Sequence, residues 1–312
     1  MKHIRIASRA SKLALIQSNY VGGLLRNLYG EVEISIVTVS TKGDREKSDF
    51  LYQSESIGFF TSEVENALLE GRADMAVHSF KDLPTAITTG LTIAAVPKRQ
   101  AVADALLTSS QAASIADLPA GAAIGTSSLR RIAQIKHLRA DLKCVPLRGN
   151  VETRVNKVQS GQIDAAIVAC AGLNRLGLTD KIAAVLPPEQ FLPAPAQGTL
   201  AVQIRADDTE LAGLVSQIDD KNSRITAQSE RYVLSAMHGG CSIPLGVFAH
   251  ISGSKIIIDA MLSDLEGKKY IRRSKTADIA EAKTCAEKLA EELLTAGGQK
   301  ILDQIRDTRK NQ

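Results

Sequence analysis

The chain is poor in cysteine, and its few cysteines form none of the patterns that bind metals or make disulfides. Its 312 residues include four cysteines, at positions 144, 170, 241 and 285, with no CxxC pair and no metal-binding spacing to histidine. Such usage is typical of a reducing compartment without disulfides. We therefore expect no metal site.

Long apolar runs and a strong charge imbalance are also absent. No apolar run is long enough to span a bilayer, and neither a signal nor a transit peptide precedes the strand-like segment 2–7, so we expect a cytoplasmic protein without membrane contact. The formal net charge is only +4, which excludes a polybasic nucleic-acid binder. A chain of 312 residues, 44% of them hydrophobic, should form two or three domains with a sizeable core.

Strand and helix patterns alternate along the first two thirds of the chain. The predicted elements are strands at 3–8, 32–40, 73–77, 121–125, 143–147, 163–169 and 199–205, with helices through 13–25 and 61–70 and further helices opening after residues 126, 150 and 170. We expect Ser11 to cap the first helix. This alternation favours parallel strands covered by helices, and thus an α/β fold.

The pattern changes near Lys221 to that of a small α+β domain. The predicted elements there are a helix before Cys241, a strand at 245–251, a hairpin of 255–262 with 268–274 around Asp264–Gly267, and a last helix at 279–296 that ends at Gly297-Gly298. The predicted domains are residues 1–97 with 199–218 (domain 1), 98–198 (domain 2) and 219–312 (domain 3). Residues 41–58 lack periodicity, which predicts a mobile, functional loop.

Arginines recur where predicted strands end and helices begin. The places are Ser8-Arg9-Ala10-Ser11, the run Thr126 to Arg131, and Arg148-Gly149-Asn150 with Arg154. The carboxyl ends of strands line the ligand crevice of open α/β sheets, and helix N-termini add partial positive charge there. A lone surface arginine usually only solvates a helix, but three at equivalent places predict a cation-lined cleft. Because the glycine-rich nucleotide fingerprints are absent, a polycarboxylate is the favoured ligand.

Two further residues have both a structural and a functional interpretation. Asp82 either caps the turn made by Pro84 or keeps an ionised carboxylate in the cationic cleft, where it would hold an N–H group or stabilise a forming cation. His78 nearby is more simply structural. Cys241 follows two glycines and precedes Pro244, so it is either an incidental loop cysteine or a thiol that another molecule can reach.

Five motifs together resemble the porphobilinogen deaminase (hydroxymethylbilane synthase) family. They are ASRASKLAL from Ala7, AVHSFKDLP from Ala76, GTSSLRR from Gly125, LRGNVETR from Leu147 and GGCSIPLG from Gly239. The resemblance implies two domains like periplasmic binding proteins, with mixed sheets, and a small domain that carries the cysteine. It implies an enzyme that joins four porphobilinogen molecules head to tail with loss of ammonia and releases hydroxymethylbilane, for tetrapyrrole and heme biosynthesis.

The resemblance also assigns roles to residues. Cys241 would hold one dipyrromethane cofactor per chain through a thioether, and Asp82 would be catalytic through contact with pyrrole N–H groups. Cofactor contacts are implied for Lys81, Asp82, Ser128, Arg130, Arg131 and Arg148. Substrate contacts are implied for Arg9, Ser11, Ser79, Arg154 and Gln197. We expect a monomer whose partner is porphobilinogen and not a nucleic acid.

The sequence departs from the family pattern in three places. Glu55–Phe60 lacks the usual loop lysine, Ala103 stands where the family has arginine, and Ala196 begins what is usually Gly-Gln-Gly. Two other classes of protein also fit these residues. One is a non-catalytic sensor of a small polyanion, in which Cys241 is incidental. The other is a transferase of the same fold that acts on a phosphorylated sugar. The lack of a secretion signal argues against a periplasmic receptor, and Cys241 discriminates best, because a sensor does not need it.

Overall fold

A computed structural model describes residues 3–41, 61–237 and 243–310. The described chain divides into two compact units, the first with residues 3–41, 61–100 and 198–225, the second with 101–197, 226–237 and 243–310. The three domains with the boundaries given above stay a prediction. The mobile loop predicted at 41–58 and the glycine pair before Cys241 lie outside the described residues, except for Thr41.

The elements are numbered in chain order. The strands are β1 (His3–Arg9), β2 (Glu33–Val39), β3 (Met75–Ser79), β4 (Leu91–Ala95), β5 (Asp104–Thr108), β6 (Ala123–Gly125), β7 (Lys143–Val145), β8 (Ala165–Ala169), β9 (Ala184–Leu186), β10 (Leu200–Arg205), β11 (Leu245–Ser252), β12 (Lys255–Ser263) and β13 (Tyr270–Asp278). The helices are α1 (Lys12–Tyr29), α2 (Ser62–Leu69), α3 (Leu129–Leu138), α4 (Val151–Gln159), α5 (Cys170–Leu176), α6 (Thr209–Val215), α7 (Lys221–Ala236), α8 (Ala282–Leu293) and α9 (Gln299–Lys310).

The first unit is built on a mixed five-stranded sheet with strand order β2-β1-β3-β10-β4. Strand β1 runs parallel to β2 and β3, whereas β10 is antiparallel to β3 and β4. Helix α1 covers one face, where Val21 and Leu25 pack with Ile4 and Ile6. Helix α2 packs on the other face. Both faces of β3 are therefore buried, which matches its apolar run Met75-Ala76-Val77, whereas β1 has polar residues at His3 and Arg5 that alternate with its buried isoleucines.

The second unit contains a mixed five-stranded sheet, β7-β6-β8-β5-β9, and a three-stranded antiparallel sheet, β11-β12-β13. Strands β7, β6 and β8 are parallel, and β5 returns antiparallel to β8 and β9. Helix α8 packs on β12 and β13. The predicted class, α/β with mixed sheets and a small α+β C-terminal part, is confirmed.

The C-terminal helix prediction is partly wrong. The hairpin of β12 and β13 forms as predicted, but the helix predicted at 279–296 is shorter, and a second helix, α9, follows it. Gly297 takes a φ of 109°, which breaks the helix as expected of glycine. The chain then resumes as α9 because Ile301, Leu302 and Ile305 bury an apolar stripe.

Helix α1 begins as predicted, since the Ser11 hydroxyl accepts a hydrogen bond from the Ala14 backbone N–H. Among the described residues there is no helix long and apolar enough to cross a membrane. No metal-binding group of histidine, cysteine and acidic residues occurs in that part of the chain.

Candidate functional site

A cavity in the first unit lies at the ends of β1 and β3. Its volume is about 90 Å³. The lining residues are Arg9, Ser11, Leu13, Ala14, Gln17, Thr61, Val64, Val77, His78, Ser79 and Asp82. Because β1 and β3 are parallel neighbours, their carboxyl ends meet at one edge of the sheet. The structure thus brings together four of the predicted residues: Arg9, Ser11, Ser79 and Asp82.

Helix α1 and a short 3₁₀ turn hold the polar groups of this cavity. Ser11 caps α1, and Gln17, six residues further on, donates from Nε2 to Ser79 Oγ at 2.9 Å. Asp82 ends the turn Phe80–Asp82, which the buried Phe80 anchors. Lys81, in the same turn, is not among the lining residues. Gln17 and Thr61 were missed. Gln17 lies four residues after Leu13 and three after Ala14, so these three side chains share the helix face that lines the cavity.

His78 lies in the cavity wall as a buried, neutral base. Burial lowers its pKa to about 4, and a hydrogen bond with the Gln203 side chain opposes this only in part. Gln203 in turn donates from Nε2 to Glu65 Oε1 at 2.9 Å. The imidazole is uncharged near neutral pH, so it adds no positive charge to the cavity. A buried, neutral imidazole fits the structural interpretation of His78.

In the second unit, Asp104 is a buried residue on which three predicted site residues converge. Its carboxylate accepts from Arg130 Nη2 at 2.8 Å, from Arg131 Nη2 at 2.7 Å and from Gln197 Nε2 at 3.0 Å. Arg130 also donates to the Leu192 carbonyl, and Gln197 also donates to that of Val102. All four side chains are buried. Asp104 was not among the predicted site residues, although an acid that opens the apolar run Ala105–Leu107 was an available signal.

This arginine cluster, defined as Asp104, Arg130, Arg131 and Gln197, holds two guanidinium groups against one carboxylate. Its formal charge is therefore positive, which favours a nearby anion. Burial lowers the pKa of Arg130, and the charge of Asp104 opposes that effect. Gln197 is fully buried against Asp104 and Val102, so its predicted contact with substrate stays a prediction.

The remaining cation positions follow β6 and β7, which are parallel neighbours. Ser128 precedes α3 and donates its backbone N–H to Thr126 Oγ1 at 3.2 Å. After β7, Arg148 and Gly149 lead into α4, which Asn150 caps through a 2.8 Å hydrogen bond from the Thr153 N–H. Arg154 on α4 turns back and donates from Nε to the Gly149 carbonyl at 3.0 Å. The two strand-end motifs of this unit are therefore adjacent, whereas their contacts with a ligand stay a prediction.

Cys241 lies outside the described residues. The described cysteines are poor nucleophiles, because burial raises the pKa of Cys144 and of Cys170 to about 11 and also raises that of Cys285.

The geometry defines an α/β protein with polar and cationic groups at strand ends, suited to anionic ligands. A family model described as porphobilinogen deaminase, dipyromethane cofactor binding domain, matches residues 4–213, and one described as porphobilinogen deaminase, C-terminal domain, matches residues 224–295. Porphobilinogen deaminase of Maridesulfovibrio salexigens is 42% identical over 98% of this chain and 99% of its own. That of Carboxydothermus hydrogenoformans is 43% identical over 98% of each chain. The chain belongs to the porphobilinogen deaminase family.

Among solved structures, the VFT2 domain of BvgS from Bordetella pertussis aligns with 69% of this chain and 86% of its own, at 19% identity and a TM-score of 0.40. A likeness at that level supports no conclusion about this chain.

Proposed function

We propose that this chain is a hydroxymethylbilane synthase: it joins four porphobilinogen molecules head to tail, with loss of ammonia at each addition, on a covalently bound dipyrromethane primer, and releases hydroxymethylbilane by hydrolysis. The observation that carries the proposal is that Asp82, Arg9, Ser11 and Ser79 line one cavity. Membership of the family, whose models match residues 4–213 and 224–295, supports it.

Asp82 is the catalytic residue in this proposal. A carboxylate in the cavity accepts a hydrogen bond from a pyrrole N–H and stabilises the positive charge that forms on porphobilinogen as ammonia leaves. Because His78 is neutral, Asp82 is the group in the cavity that stabilises this positive charge. Arg9, with the hydroxyls of Ser11 and Ser79, binds the acetate and propionate groups of the substrate. Arg154 and Gln197 are proposed as further substrate contacts.

The described residues of the second unit fit a polycarboxylate cofactor. Each pyrrole brings two carboxylates, and the arginine cluster has a positive formal charge beside the strand ends that carry Ser128 and Arg148. Arg130, Arg131, Arg148 and Ser128, with Lys81 and Asp82, would hold the dipyrromethane. When bound, this group supplies the pyrrole end on which the product chain is built. The protein's own contribution is to neutralise and orient its carboxylates.

Cys241 is the proposed anchor. A thioether needs a thiol that reaches another molecule, and the three described cysteines have pKa values raised by burial. We also propose that the protein is a monomer and that it is located in the cytoplasm.

The intact mass of the purified, denatured protein tests the proposal. The wild type should show a covalent excess equal to one dipyrromethane, and addition of porphobilinogen should raise it in steps of one pyrrole unit. Cys241→Ser should show neither, whereas Cys144→Ser, which removes a thiol of raised pKa, should behave like the wild type. A wild-type mass that stays unmodified in the presence of porphobilinogen would favour the polyanion sensor, with Cys241 incidental.

A further inference from the structure

The parallel ladder between β6 and β7 ends at a proline. Backbone pairing runs from Ala123 and Lys143 to Gly125 and Val145, and the Thr126 N–H then donates to the Val145 carbonyl at 2.9 Å. The next residue on the second strand is Pro146, which has no N–H to donate. The backbone ladder cannot continue through Pro146, yet Arg148 follows only two residues later.

A single side chain replaces the missing ladder. The Ser127 hydroxyl donates to the Leu147 carbonyl at 3.1 Å and accepts from the Leu147 N–H at 3.1 Å. One hydroxyl has one proton to donate and lone pairs to accept, so it serves both peptide groups of Leu147 at once. The contact joins the loop after β6 to the loop after β7.

The packing beneath this contact leaves little room for the two loops to separate. Leu147 is only 1% exposed. A Cβ atom on Gly125 would lie 2.9 Å from Leu147 Cδ2 and 2.6 Å from Ile163 Cδ1, so only glycine allows Leu147 to approach β6 this closely. The side chain of Leu147 is fixed by packing, and its peptide groups are fixed by Ser127.

We propose that Ser127 is a positioning residue for the cofactor carboxylates. Its two hydrogen bonds fix the peptide that leads into Arg148, relative to the loop whose next residue is Ser128. Ser127 itself holds no ligand in this assignment. The role rests on the proposed function, because it acts through Arg148 and Ser128.

The first test is amide hydrogen exchange, which does not depend on activity. Ser127→Ala removes the acceptor of the Leu147 N–H, so exchange at Leu147 should become about tenfold faster. Ser127→Thr keeps the hydroxyl and should restore slow exchange. Ser160→Ala is the control, because the Ser160 hydroxyl donates to Lys157 at the opposite end of α4 and should leave Leu147 unchanged. Unchanged exchange in Ser127→Ala would overturn the proposal.

The second test separates positioning from general stabilisation. Ser127→Ala should lower kcat about five- to tenfold and leave the KM for porphobilinogen within about twofold, because Arg148 and Ser128 hold the cofactor and not the substrate; Ser127→Thr should stay within about twofold of the wild type in both. In an Arg148→Ala background, Ser127→Ala should add less than about twofold, because the group it positions is gone. An equal effect in both backgrounds would overturn the positioning role. If the wild type consumes no porphobilinogen, both the proposed function and the role of Ser127 in catalysis are refuted. The hydrogen-exchange experiment does not depend on activity and tests only the contact between the Ser127 hydroxyl and Leu147.

Discussion

Replacement of Asp104 by asparagine tests whether the arginine cluster is held together by charge. The Asp104 carboxylate is 0% exposed and accepts hydrogen bonds from Arg130 and Arg131 through both oxygens. Asparagine keeps the size of the side chain but removes its charge, and it turns one acceptor into an NH₂ donor that faces a guanidinium group. Two buried cations then lose the carboxylate that they share.

The size of the effect follows from the burial of all three groups. Removing one partner of a buried ion pair costs about 3–5 kcal/mol, because the other charge stays buried without compensation. With a urea dependence of about 2 kcal/mol per molar, the unfolding midpoint should fall by about 2 M. Burial sets this magnitude, so an exposed aspartate–arginine pair should show a much smaller shift.

Urea unfolding followed by circular dichroism measures the shift, and Asp141→Asn is the matched control. Asp141 also receives two hydrogen bonds from an arginine, Arg139, but its side chain is 43% exposed, and solvent screens the pair. The control midpoint should move by less than a quarter of the Asp104→Asn shift. Equal shifts in the two variants would refute the argument that the buried carboxylate holds the cluster together.

Two other changes act on backbone strain and on a buried base. Ala196 is buried with a φ of 62°, a left-handed conformation that is unfavourable for alanine. Ala196→Gly should therefore raise the free energy of unfolding by about 0.5–1 kcal/mol, measured from the urea midpoint. A less stable variant would contradict the claim that the backbone is strained at this residue. The folded-state pKa of His78 is lowered from 6.5 to about 4, so the unfolded chain binds the extra proton first and stability should fall as pH drops from about 6.5 to 4. In His78→Gln, the decrease in the free energy of unfolding between pH 7 and 4 should be about 3 kcal/mol smaller than in the wild type. Unfolding measured at several pH values in this range tests the prediction. The same pH dependence in both proteins would contradict a neutral, buried His78.

The proximity of the strand-end motifs was predictable because parallel strands place their carboxyl ends together. That rule, applied to β1 with β3 and to β6 with β7, brings Arg9 near Asp82 and the Arg148 loop near Ser128. The partner of each arginine was not predictable. Asp104 is 26 residues from Arg130 in sequence, and only the return of β5 beside β8 places its carboxylate under α3.

Local signals also failed where distant packing decided the outcome. Gly297-Gly298 correctly predicted a break in the helix, but a glycine pair says nothing about whether the chain resumes as a helix. Helix α9 forms because its apolar stripe is buried, and that depends on the surface available to it. The same limit applies to Cys241, whose role depends on surroundings that a local pattern does not reveal.

The structure changes the interpretation of Ala103, where the family pattern has an arginine. Ala103 is 7% exposed and belongs to an apolar cluster with Leu107, Leu147 and Val155, while its carbonyl accepts from the Cys170 N–H at 3.0 Å. An arginine there would have to displace this packing or extend beyond it. Leu147, which Ser127 holds ahead of Arg148, belongs to the same apolar cluster as Ala103. Where the family has an arginine, this chain thus has a small side chain that packs in the apolar cluster, and the two guanidinium groups that pair with Asp104 are both present.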